Sequence, residues 1–268
     1  MNSSKTPSDH QSREGRMSVL KLQGDVIYGP IHSRRLGRSL GINLLPTIHK
    51  LCTFDCIYCQ YGSSDAGSMP EEHTGFPSLE TVLQSVEKAL SQQPPPNYLT
   101  FSGNGEPTLH PRFPEIVVEV RRLRDRMCPD VRLAILSNSS RIHRSEIREA
   151  VQQLDDPIMK LDAGDPATFA QINRPVPGVT FEKIIAGLAA MPRVIIQSMI
   201  VDGPLQNAEG EAHEAWLSTL AQLSPEKVQV YSTERPVAQT EVERVSKATL
   251  EELARNAEKR TGVPVRAY

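Results

Sequence analysis

The sequence predicts an α/β fold built on a parallel sheet, and three observations support this. Short apolar, β-branched runs alternate with amphipathic stretches through six βα units between residues 41 and 260. Neighbouring parallel strands need helical crossovers, and right-handed crossovers leave two forms, an open doubly wound sheet or a curled barrel. With 268 residues, 38% of them hydrophobic, the chain can bury a large core, which excludes disorder and a disulfide-stapled miniprotein.

Taken in order, residues 1–17 are rich in Ser, charge and amides. They predict a flexible arm ahead of a single domain over residues 18–268. Residues 41–45 form the first strand. Residues 79–91 form a helix, because Leu79, Val82, Leu83, Val86 and Leu90 share one face, and Pro94, Pro95 and Pro96 stop it. Residues 98–101 are the second strand and 113–126 the next helix. The third strand is 131–136, followed by a helix over 145–154 with Ser145 as its N-cap. Residues 158–161 are the fourth strand, with helices at 166–172 and 181–190. The β-branched run 194–201 is the fifth strand, interrupted by Gln197 and Ser198, at least one of which should face a site or barrel interior. A helix over 211–223, a sixth strand at 227–231 and a helix over 247–260 complete the pattern. In either form functional groups collect at the carboxyl ends of the strands.

No apolar run approaches the roughly 20 residues of a membrane helix, and the N-terminus lacks a secretory apolar stretch. The expectation is a cytoplasmic chain whose thiols stay reduced. Net charge is −2, so composition alone does not mark a polyanion binder. Residues 1–50 carry 8 basic and 3 acidic residues, and Arg34, Arg35 and Arg38 form a local basic group. Carboxylates, phosphates or an RNA backbone would suit that group, as would pinning by salt bridges within the protein.

Of four cysteines, Cys52, Cys56 and Cys59 fall within eight residues, spaced C-x3-C-x2-C. Soft thiolates at this spacing suit an iron–sulfur cluster or zinc. Zinc needs a fourth ligand, which His49 or His73 could supply in a non-enzymatic Cys3His module. Three thiolates on a cubane cluster would leave one iron open to a substrate or cofactor. Cys128, after a helix and before Pro129, reads as an inert free thiol.

The cysteine loop, with Tyr58 just before its last cysteine, resembles the signature of the radical S-adenosylmethionine (SAM) superfamily. The resemblance implies a partial (β/α)6 barrel, open on one side and suited to lateral entry of a large substrate. It implies a 4Fe-4S cluster on Cys52, Cys56 and Cys59, with SAM on the open iron and an external one-electron reductant. SAM would then be cleaved to methionine and a 5′-deoxyadenosyl radical. The segment Phe101-Ser-Gly-Asn-Gly-Glu-Pro-Thr108 is similar to the superfamily's Gly-Gly-Glu-Pro motif, with Asn104 in place of a commoner glycine. Gly103, Gly105 and Glu106 should therefore meet the methionine end, and Tyr58 the adenine. Ser137, Asn138, Lys160, Asp162 and Gln197 stand where the superfamily holds the rest of SAM. The competing local reading makes these residues turn or cap formers.

Segments 28–41, 160–164, 169–175, 196–199 and 231–236 are similar to the branch related to the wyosine-base synthases that modify tRNA. Those enzymes carry a second cluster and a pyruvate-binding lysine. This chain has only Cys128 to spare and matches that lysine only by the proximity of Lys50 to the cysteine loop. The substrate expected from the sequence is a small molecule or tRNA, with RNA binding without catalysis as an alternative.

Overall fold

The computed structural model describes residues 20–62, 74–233, 237 and 242–268. The arm over 1–17, His73 and residues 234–236 of the last motif lie outside the described residues. A curled, eight-stranded half-barrel sheet runs in the order β1-β2-β3-β4-β5-β6-β8-β10. β1 (Ile27–Ser33) pairs antiparallel with β2 (Gly37–Ile42). From β2 onward every neighbour is parallel: β3 (Tyr98–Phe101), β4 (Arg132–Ser137), β5 (Asp156–Lys160), β6 (Ile195–Met199), β8 (Lys227–Tyr231) and β10 (Val265–Ala267). The crossovers carry α1 (Leu79–Leu90), α2 (Phe113–Met127), α3 (Ser145–Val151), α4 (Pro166–Ile172), α5 (Phe181–Ala189), α6 (Gly210–Leu223) and α7 (Lys247–Thr261). A small antiparallel pair, β7 (Val201–Asp202) with β9 (Glu243–Arg244), stands apart from the sheet.

Side chains alternate faces along a strand, and this two-residue period divides the molecule into layers. Leu133 and Ile135 of β4, Met159 of β5, Ile196 of β6 and Val228 and Val230 of β8 join the large core under the helices. Ala134, Ile158 and Ile195 turn the other way and meet Leu36 in a small cluster on the concave face. The same alternation puts Lys160, Gln197, Gln229 and Tyr231 on that concave side. Tyr231 donates to Gln197 Oε1 at 3.2 Å, and Gln197 to Gln229 at 3.4 Å.

Four expectations need correction. The first strand covers 37–42 rather than 41–45, because Asn43 turns the chain, its Oδ1 accepting from the Leu45 and Asn104 N–H groups. A hairpin partner, β1, precedes it; Tyr28 packs so closely over Gly41 that a Cβ there would lie 2.1 Å from the ring. Ser145 is the first residue of α3 rather than its cap: Arg144 takes that position without a side-chain bond to the helix backbone, and the helix stops at Val151. The run 194–201 breaks at Ile200, whose N–H donates to Tyr231 O at 2.8 Å, separating β6 from β7.

The open edge of the half-barrel is also spanned by side chains. The tip between β1 and β2 inserts Leu36 against β4, β5 and β6, and the Arg35 guanidinium lies 4.7 Å from the Tyr231 ring centroid.

Candidate active site at the carboxyl ends of the strands

The cysteine loop is clamped between two segments far away in sequence. On one side Leu51 N–H donates to Asn104 O at 2.9 Å, and Glu106 N–H donates back to Leu51 O at 3.0 Å. Gly105 sits at φ +145°, and a Cβ there would lie 1.7 Å from Leu51 O, so this approach requires glycine. Asn104, the departure from the Gly-Gly pattern, is fully buried and ties in the chain before β1 by donating to Gln23 O and Pro46 O, each at 2.9 Å. On the other side Ile57 N–H donates to Ile172 O at 3.0 Å and Val176 N–H to Thr53 O at 3.0 Å. Cys59 N–H donates to Cys56 O at 3.0 Å and closes the turn between the last two cysteines.

Two of the three sulfurs have an amide donor beside them. Asn138 Nδ2 lies 3.4 Å from Cys52 Sγ, and Asn173 Nδ2 lies 3.4 Å from Cys56 Sγ. Lys50 donates to Gly62 O at 2.7 Å, and its charge faces the Cys59 and Cys52 sulfurs. Burial opposes the Lys50 charge, but the Cys59 and Cys52 sulfurs outweigh it and hold its pKa above the ordinary value. Burial pushes the Cys52 thiol up to about 12 and the Cys56 thiol up to about 11. Among the described residues no three Cys, His, Asp or Glu side chains are arranged to hold a single metal ion. Three thiols on one loop, two of them with amide donors and with a lysine charge facing them, suit an electron-rich sulfur centre whose charge such groups offset. The residues therefore fit a cluster.

Glu106 is buried, and it is satisfied from within the protein. Its carboxylate accepts from the Thr108 N–H (3.1 Å) and hydroxyl (2.6 Å), the Ser137 hydroxyl (2.9 Å) and the Asn138 N–H (2.5 Å). Burial still raises its pKa above the usual carboxylate value. Gly103 and Gly105 lie in the same turn at φ +133° and +145°, with Gly103 packed against Asn43.

On the opposite side, Asp162 Oδ2 accepts from the Tyr58 hydroxyl and from Asn173 Nδ2 at 2.6 Å, with Lys160 Nζ at 3.6 Å. Its Oδ1 accepts from Met199 N–H at 2.8 Å. Burial disfavours the Lys160 charge, yet Asp162 holds its pKa above the ordinary lysine value. Lys160 Nζ also lies 5.1 Å from the Tyr58 ring centroid and 3.5 Å from the Tyr231 hydroxyl. Burial and the Asp162 charge keep the Tyr58 phenol protonated well above its usual range.

The fold thus gathers Cys52, Cys56, Cys59, Tyr58, Gly103, Gly105, Glu106, Ser137, Asn138, Lys160, Asp162 and Gln197 at one end of the sheet. Ser198 faces the helices, donating to Leu161 O at 2.5 Å and accepting from Trp216. Arg38 is separated from Arg34 and Arg35: it lies at the start of β2 and donates to Pro94 O (2.5 Å) and Pro95 O (3.0 Å). Cys128 ends α2, with Sγ 3.5 Å from Leu90 O. Sequence reasoning missed Asn173 and left Tyr231 without a role. Both lie in quoted motifs, the only signal available for them.

The profile of the Radical SAM superfamily matches residues 47–217. A Brachyspira hyodysenteriae protein named GTPase Obg is 33% identical over 174 residues, 65% of this chain and 24% of that protein. A UPF0026 protein of Methanocaldococcus jannaschii is 33% identical over 216 residues, 79% of this chain and 64% of its own length. A UPF0026 protein of Synechocystis is 27% identical over 267 residues, 90% of this chain and 95% of its own. The chain therefore spans less than two thirds of the first two relatives. The solved structure of TYW1 with a lysine–pyruvate adduct bound has TM-score 0.57 at 14% identity, covering 83% of this chain and 73% of that one. That likeness is one of fold.

Proposed function

This chain belongs to the radical SAM superfamily, and from that premise we propose that it cleaves SAM reductively at a 4Fe-4S cluster held by Cys52, Cys56 and Cys59. A reduced cluster on these three cysteines would supply the electron for splitting SAM into methionine and a 5′-deoxyadenosyl radical, which would take hydrogen from substrate. The observation that carries this reading is the clamped cysteine loop, with amide donors at the Cys52 and Cys56 sulfurs and the Lys50 charge facing the loop. Asn138, Asn173 and Lys50 stabilise negative charge on the thiolates and orient them.

In this reading the Gly103–Gly105 turn offers backbone groups to the methionine end, while Glu106 shapes that turn by holding Ser137 and Asn138. Tyr58, Lys160, Asp162 and Gln197 line the opposite wall, with Asp162 fixing the Tyr58 ring. An external one-electron donor supplies the reductant. The substrate is a small molecule or tRNA. No helix among the described residues is long and apolar enough to cross a membrane.

The test is anaerobic reconstitution with iron and sulfide, then dithionite and SAM, with 5′-deoxyadenosine as the product measured. Its formation is expected. An intact cluster absorbance with no 5′-deoxyadenosine overturns the reading, as does stoichiometric zinc without labile sulfide in anaerobically purified protein.

A further inference from the structure

A cavity of about 260 Å³ opens between the hairpin tip and the end of β8, lined in part by Arg34, Arg35, Gln60, Met199, Tyr231 and Tyr268. Gln60 directly follows Cys59, so the cavity adjoins the cysteine loop. No Asp or Glu side chain is among its described lining residues. Arg35 stacks on the Tyr231 ring at 4.7 Å, and its Nη1 is buried without a hydrogen-bond partner among the described residues. An unpaired buried donor on a cation is costly, and a ligand that satisfies it recovers that cost.

The stack also orients the guanidinium. The guanidinium lies over the Tyr231 ring, and a planar fork can donate two parallel hydrogen bonds to an oxyanion. The hydroxyl of the same tyrosine bonds Gln197 and lies 3.5 Å from Lys160 Nζ, which pairs with Asp162. A group held by Arg35 is therefore one aromatic ring away from the wall assigned above to SAM. The cavity is smaller than a site for a whole drug-sized ligand, so it suits one headgroup with the rest of the molecule in the barrel mouth.

We propose that the substrate carries a carboxylate or phosphate group that Arg35 binds in this cavity, with Tyr231 bracing the guanidinium. This rests on the reading of the barrel mouth as the reaction site. The anion anchors the substrate at the bridged edge of the half-barrel, beside the loop that carries the cysteines.

The experiment is anaerobic titration calorimetry of cluster-loaded protein with two separate probes, inorganic phosphate and acetate. At least one should bind saturably at roughly millimolar Kd. Arg35→Gln should weaken it about tenfold or more, as expected for loss of a charge-assisted pair. Arg38→Ala should leave it within about twofold, since Arg38 is absent from the cavity lining and its guanidinium is engaged by Pro94 O and Pro95 O. Saturable binding of phosphate alone assigns a phosphate ester, and of acetate alone a carboxylate. If Arg35→Gln does not fold, as judged by circular dichroism, Arg35→Lys decides, because lysine keeps the charge but not the fork and should still weaken binding severalfold. No saturable binding, or binding unchanged by Arg35 substitution, overturns the proposal. Wild-type 5′-deoxyadenosine formation is measured in parallel: its absence removes the SAM-cleavage reading while leaving the anion result to stand or fall by itself.

Discussion

Glu106 and Asp162 are both buried carboxylates at the carboxyl end of the sheet, and each holds an asparagine whose amide reaches a cysteine sulfur. Glu106 does so through neutral donors that lie within the β3–β4 region, taking the backbone N–H of Asn138, whose side chain bonds Cys52. Asp162 holds the Asn173 amide itself, shares it with Tyr58 and Cys56, and balances a lysine charge. The first arrangement is a local clasp that is satisfied before any ligand arrives. The second links the cysteine loop, the end of α4, β6 and, through Lys160, β8. The difference teaches where charge is used for shape and where it remains available to a ligand.

The largest break in this comparison should come from Asp162→Asn. It leaves the Lys160 ammonium in a mostly buried site without its counter-charge, and should cost roughly 3–5 kcal/mol in urea unfolding. A loss below about 1 kcal/mol would mean that Lys160 is solvated and the pair behaves as a surface one.

Glu106→Gln should come next, at roughly 2–3 kcal/mol, because an amide cannot serve as acceptor for all the donors that converge on the carboxylate. The loss should be thermal and chemical stability of the clasp, leaving the Lys160 environment intact. An unchanged melting temperature would argue that the turn at 103–106 is held by its backbone bridge to Leu51 alone.

A finer comparison sets Asn138→Ala against Asn173→Ala. Each removes one N–H···S contact, so each reconstituted cluster should shift to a more negative reduction potential while iron content stays at the wild-type level. Asn173→Ala should also perturb the Tyr58–Asp162 bond, visible as altered tyrosine absorbance on alkaline titration, whereas Asn138→Ala should not. Equal spectroscopic effects would erase the asymmetry.

The smallest expected effect is a pH dependence on the clasp side. His110 accepts from Arg112 N–H at Nδ1 (3.0 Å), and its Nε2 lies 2.9 Å from Pro77 O, a pairing that suits the neutral ring. Burial lowers its pKa below the usual imidazole value. The unfolded chain then binds the proton more readily, so this contribution is complete above about pH 6.5 and is lost as pH falls. Urea midpoints from pH 7 to 5 should decline in wild type and decline less in His110→Asn; parallel curves would count against it.

Much of this architecture was legible in the sequence. The helix over 79–90 declared itself by Val82, Val86 and Leu90 on one face, and the helix expected from Pro166 starts there as α4. β1 was not legible, because Gly29 and Pro30 interrupt it, and β10 is too short for any period to show. The break at Ile200 could not be read either: nothing in a β-branched run says that its backbone will pair with Tyr231 on another strand.

What the sequence determined by itself is local. The strand–helix alternation follows from apolar spacing within a dozen residues, and the three thiols are neighbours because they sit on one eight-residue loop. Gln197 and Ser198 could be picked out because they interrupt an apolar run, and the other polar residues at strand ends through the family resemblance. Only the tertiary structure decided their partners. Tyr58 meets Asp162 across 104 residues and Asn173 meets Cys56 across 117. Arg35 reaches Tyr231 while Arg38, three residues on, goes to the prolines after α1. Such contacts depend on how far the sheet curls and which way a hairpin tip turns, quantities summed over the whole packed core and written in no single segment.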